Sequence, residues 1–151
     1  MTLYNNLFID TNKPISEADI DYVEQQFGFK FPKEIRSHFL EYNGGCPEKY
    51  VFKKDDTFYV VQEFMTIKYG NPDTSFETTI DDLKIKRKIL PEHLVPFAVD
   101  PGGDYYCFSV GKSDFGSIFI FRGEYSDDSN RSTRFLSPNI FQFIESMIEE
   151  E

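Results

Sequence analysis

The sequence predicts an α+β domain: a mainly antiparallel sheet carrying an N-terminal helix pair, one middle helix and a C-terminal helix. Three observations support this. Apolar residues recur at helical spacing near both ends of the chain. Runs rich in β-branched and aromatic residues, separated by Gly, Pro and Asp turns, fill the centre. The strands do not alternate regularly with helices, which argues against a doubly wound parallel sheet.

The first helix starts at Ser16, an N-cap whose partner in an acidic capping box is Asp19. Ile15 and Ile20 flank the cap as a hydrophobic staple. Ile20, Val23 and Phe27 form one apolar stripe, and Gly28 supplies a left-handed end. Pro32 suits the first position of a second helix, with Ile35, Phe39, Leu40 and Tyr42 facing inward. Asn43-Gly44-Gly45 and Pro47 end it. Tyr50-Val51-Phe52 and residues 57–65 read as strands around a turn at Lys53-Lys54-Asp55-Asp56. Gly70-Asn71-Pro72-Asp73 reads as a loop. Thr79 is the expected cap of the middle helix, whose acids come early and bases late, as the helix dipole favours. Residues 94–99, 104–110 and 117–121 read as a three-strand meander, with turns at 100–103 and 111–116. Residues 123–133 are polar and read as an exposed loop. Ser137 and Pro138 are the expected start of the last helix, with Ile140, Phe141, Ile144, Met147 and Ile148 on one face. The closing glutamates, Glu149-Glu150-Glu151, are expected to be frayed.

A chain of 151 residues fits a single domain spanning 1–151. Seventeen Phe and nine Tyr, with no Trp, provide large aromatic area for a core, and some Tyr for a binding face. A net charge of −10 disfavours nucleic acid and anionic membranes; it either favours a basic partner or simply keeps the protein soluble. Cys46 and Cys107 form neither a CxxC pair nor a disulfide framework. With no signal-peptide pattern and no membrane-length apolar run, the expected location is cytoplasmic.

Catalytic signatures are weak. His38 falls within the second helix and reads as a surface or boundary residue; His93 reads as a loop residue. Neither sits in a recognisable nucleophile motif. No cysteine, histidine or acidic spacing matches a zinc site or an EF-hand, so neither a metal nor a cofactor is expected. Gly102-Gly103 precedes a strand rather than a helix, which is wrong for a phosphate cradle. Lys84-Ile85-Lys86-Arg87-Lys88 is the one basic cluster and reads as a helix end or salt-bridge face.

Three stretches together resemble the SUKH superfamily. The first is Phe31-Pro32-Lys33-Glu34-Ile35-Arg36, then Phe39-Leu40, Tyr42-Asn43-Gly44-Gly45 and Pro47. The second is Pro96-Phe97-Ala98 leading to Gly103-Asp104-Tyr105-Tyr106-Cys107-Phe108. The third is Gly116 with Ile118-Phe119, followed by the amphipathic C-terminal helix. One departure is Ser109, where many members carry an acid. The resemblance implies an α+β fold and a non-enzymatic, protein-binding role. It points first to an immunity protein that neutralises a bacterial toxin such as a nuclease. The alternative is a Smi–Knr type scaffold for a signalling or cell-wall partner. A basic toxin domain suits an acidic inhibitor, because opposite potentials speed encounter. The candidate contact residues are Asp55, Asp56, Asp100, Asp104, Tyr105, Asp127 and Asp128. A hydrolase or nucleotide-binding enzyme has only His93 and the glycine-rich turn 100–104 in its favour.

Overall fold

The structure, a computed structural model, describes residues 3–149. Glu150 and Glu151, expected to fray, lie outside the described residues. Strand β1 (Phe8–Ile9) leads to helices α1 (Glu17–Phe27) and α2 (Lys33–Glu41). Next come β2 (Cys46–Pro47), the hairpin β3 (Val51–Lys54) and β4 (Thr57–Val60), and β5 (Glu63–Phe64). Helix α3 (Phe76–Ile80) continues into a π-helical segment, Asp81–Lys86. The meander β6 (Leu94–Val99), β7 (Tyr105–Ser109) and β8 (Ile118–Phe121) follows. A short helix α4 (Ser129–Ser132), strand β9 (Thr133–Ser137) and helix α5 (Ile140–Glu145) close the order. The largest sheet has five strands in the order β5-β6-β7-β8-β9, all antiparallel, which makes this an α+β fold.

Alternation along the strands divides the core between the two faces of this sheet. On one face Val95, Tyr106, Phe108, Ile118, Ile120 and Leu136 join the main core with α1, α2 and α5. On the other, Leu94, Cys107 and Phe121 pack against Leu83 and Leu90 from the π-helical segment and the residues after it. Pro96 is tolerated inside β6 because the register shifts between Pro96 and Ala98, a bulge that needs no ladder N–H from it.

Local chemistry accounts for the helix ends. The Ser16–Asp19 capping box is complete, and Gly28 closes α1 at φ 74°. Three expected starts move. Pro32 sits at the N-cap of α2 rather than inside it. Ser75, not Thr79, caps α3: its hydroxyl accepts from the Thr78 N–H, and Thr79 lies inside the helix. Asn139, not Ser137, caps α5, because Ser137 is still paired to Ile118 in β9. Residues 57–65 are two strands, not one. Residues 123–133 are not all loop: they include a 3₁₀ turn and α4, and they end at the start of β9.

His38 is the main correction in the core. It is fully buried rather than at the surface. Its ring lies among Tyr4, Phe8, Phe39, Tyr42 and Phe64. Nδ1 is hydrogen-bonded to the Tyr4 hydroxyl at 2.9 Å, and among the described residues Nε2 has no hydrogen-bond partner. An imidazole that stays neutral can be packed as an aromatic ring, so its helical position carried no warning of burial.

Candidate partner-binding surface

The antiparallel register puts the β6–β7 turn and the β8–β9 connection at the same end of the sheet. That end gathers most of the acids singled out from the sequence. Asp100 closes the β6–β7 turn: its Oδ1 accepts from the N–H groups of Gly102 (3.0 Å) and Asp104 (2.8 Å). Gly103 supplies the left-handed φ of 93° that the turn requires. Asp104 is half-buried. Its pKa is raised by burial first, then by Asp100 and Glu124; Arg122 and the Gly123 backbone N–H act in the opposite direction. Asp127 is exposed in the β8–β9 connection. Asp128 caps α4, its Oδ1 accepting from the Asn130 N–H at 3.0 Å.

Asp55 and Asp56 form the tip of the β3–β4 hairpin, with φ of 51° and 65°. Two left-handed residues define the hairpin turn that fits strand twist, and Asp tolerates that region better than most residues. Asp55 receives Arg134 Nη2 at 3.2 Å, and Arg134 Nη1 donates to the Tyr59 hydroxyl at 2.6 Å. Arg134 lies in β9, so this link holds the hairpin tip against the strand that starts at the same end. Tyr106 also ties β4 to β7, donating to the Val60 carbonyl at 2.7 Å.

Tyr105 departs from the group. It opens β7 at the same end but packs partly against the Leu83–Leu90 layer, where burial raises its pKa and Arg87 lowers it. Sequence reasoning missed Glu124, Arg122 and Arg134, which complete the electrostatics of this end. The only signal available was strand order, which puts the residue after β8 beside the turn after β6.

The acids therefore do two jobs. Asp100 and Asp128 hold turns, and Asp55 holds the hairpin. Asp104 also accepts from the Gly123 backbone N–H, which ties the β6–β7 turn to the β8–β9 connection, whereas Glu124 and Asp127 have no such bond among the described residues. An end of this kind attracts and orients a cationic surface.

His93 and the turn 100–104 flank β6 at opposite ends. At roughly 3.3 Å per residue, six strand residues separate them by about 20 Å. They make no common site, which removes the grouping on which an enzyme reading rested. Among the described residues, no group of three or more His, Cys, Asp or Glu side chains is arranged to hold a metal ion. No described helix is long and apolar enough to cross a membrane. Ser109, where a family acid was expected, is buried and hydrogen-bonded to the Asp114 carboxylate of the next turn. A carboxylate thus stands beside this position, supplied from another residue. No curated protein matches the chain. The sequence model of the SMI1 / KNR4 family (SUKH-1) matches residues 14–146, from Pro14 to Ser146.

Proposed function

Since the chain belongs to the SMI1 / KNR4 family (SUKH-1), we propose that it is a non-catalytic protein-binding domain of the immunity type. Its acidic sheet end engages a basic toxin domain such as a nuclease. The observation carrying this reading is the convergence of Asp104, Glu124 and Asp127 on one end of a chain of net charge −10. A nuclease must present cations to hold its substrate, and an acidic surface competes for those cations directly. Family membership supports protein partners in general; the charge of this end argues for a basic one.

Co-expression with a toxin domain encoded beside the gene tests the proposal. The informative variant neutralises Asp104→Asn, Glu124→Gln and Asp127→Asn together. It leaves Asp100 and Asp128 to hold their turns. The wild type is expected to restore growth and copurify with the toxin, and the triple variant to lose both while remaining folded. Full protection by the triple variant would move the interface elsewhere. If a cell-wall or signalling protein is captured through this end instead, the scaffold reading replaces immunity.

A further inference from the structure

Residues 84–88 form the one basic run in the chain, and only its Arg87 acts on the acidic end, through Tyr105. Two of its cations are neutralised locally. Lys86 Nζ lies 3.4 Å from the Asp81 carboxylate, and Arg87 Nη1 lies 3.2 Å from that of Asp82. Lys84 instead donates to the Glu92 carbonyl at 2.9 Å; burial lowers its pKa, and the nearby Glu92 carboxylate acts in the opposite direction. Neither Lys84 nor Lys88 has a carboxylate within ion-pair distance among the described residues.

Both lysines line a groove of about 500 Å³ whose floor includes Phe27, Phe29 and Leu90, with Ile85 also on its wall. Ile85 is 55% exposed, so its side chain offers apolar surface at the groove's edge. The groove also reaches Glu92 and Val110, which flank the start of β6 and the end of β7. It therefore opens at the end of the sheet opposite the acidic one. The backbone here is irregular. Lys84 and Ile85 sit on the π-helical segment, and such segments are rare and concentrate at functional sites. Lys88 follows at φ 54°, where glycine is the less strained choice.

We propose that this groove binds an acidic peptide segment of a second partner protein. An apolar side chain of the peptide rests on the Phe27–Phe29–Leu90 floor, and its carboxylates meet Lys84 and Lys88. Charge complementarity sets the sign of the ligand, since Lys84 and Lys88 outnumber Glu92, the one carboxylate among the lining side chains. The open shape favours a peptide, since small-molecule sites enclose most of their ligand. The inference is independent of the proposal for the acidic end: it concerns another partner at the opposite end of the sheet.

The probe is a labelled acidic hexapeptide of Asp and Glu around a central Leu-Phe pair, titrated into the ¹⁵N-labelled full chain. Backbone shifts are expected at Gly28, Ile85 and Val110, and not at Asp104 or Asp127. Lys88→Glu and Ile85→Ser are each expected to weaken the dissociation constant by about five-fold or more. Lys33→Glu, the same charge change at an exposed position on α2, is expected to weaken it by less than about two-fold. Equal weakening by Lys33→Glu, or shifts confined to other residues, would overturn the proposal. So would binding of dodecanoate in the groove with no binding of the peptide, which would make this a site for small amphiphiles.

Discussion

At the residue scale, Asn43 shows how one polar side chain fixes several segments. It is buried; its Nδ2 donates to the carbonyls of Lys13 (3.0 Å) and Ile67 (2.9 Å), and its Oδ1 accepts from the Ile67 N–H (2.8 Å). These bonds join the chain before α1 and the chain after β5 to the end of α2. Truncation strands buried backbone groups, each costing about 1–3 kcal/mol. Asn43→Ala is therefore expected to lower stability by about 3 kcal/mol in urea denaturation, whereas a loss below about 1 kcal/mol would mean that the bonds are replaced by water. Gly44 beside it has φ 81°, and an added Cβ would collide with the Thr66 side chain. His38 makes a second prediction. Burial lowers its pKa from 6.5 to about 3. The unfolded chain binds this proton at higher pH than the folded one. Its contribution to stability is full above about pH 6.5 and is lost as pH falls toward 3. The slope is at most about 1.4 kcal/mol per pH unit. Denaturation at pH 7 and pH 5 should show a larger loss for the wild type than for His38→Phe, whatever His38→Phe costs at pH 7. Equal losses would place the acid sensitivity in the carboxylates.

At the element scale, the capping box of α1 is the simplest case. Ser16→Ala is expected to cost about 1 kcal/mol, read as a shift of the denaturation midpoint with unchanged slope. This cap was legible in the sequence because capping is local: Ser16, Asp19 and Gly28 carry their own geometry. The meander was legible for the same reason, as apolar runs between turns of fixed chemistry. The other caps were harder to place. Thr79 and Ser137 are good capping types, but Ser75 and Asn139 are equally good and lie nearby. Pairing of Ser137 with Ile118 decided the second case, and pairing is a long-range fact. Strand β9 was missed because its polar Arg134 and Ser137 break the apolar run, and Arg134 is needed by Asp55 and Tyr59. Strands β1 and β2 are two residues each, too short to leave a pattern. The candidate acids were legible as turn residues. Which of them hold turns, as Asp100, Asp104 and Asp128 do, was not, because it depends on which N–H each oxygen meets.

At the scale of the whole molecule, the sheet separates two unlike ends. One carries Asp104, Glu124 and Asp127, and the other the lysine-lined groove, although the chain as a whole carries −10. A charge layout of this kind acts mainly on the rate and orientation of encounter, and salt screens it over about 10 Å at 0.1 M. The deciding measurement is the association rate with the copurified partner, by stopped flow, across ionic strength. A steep fall of the wild-type rate with salt, flattened in the Asp104→Asn, Glu124→Gln, Asp127→Asn variant, is the predicted result. A wild-type rate indifferent to salt, or an equally steep fall in the variant, would contradict the account.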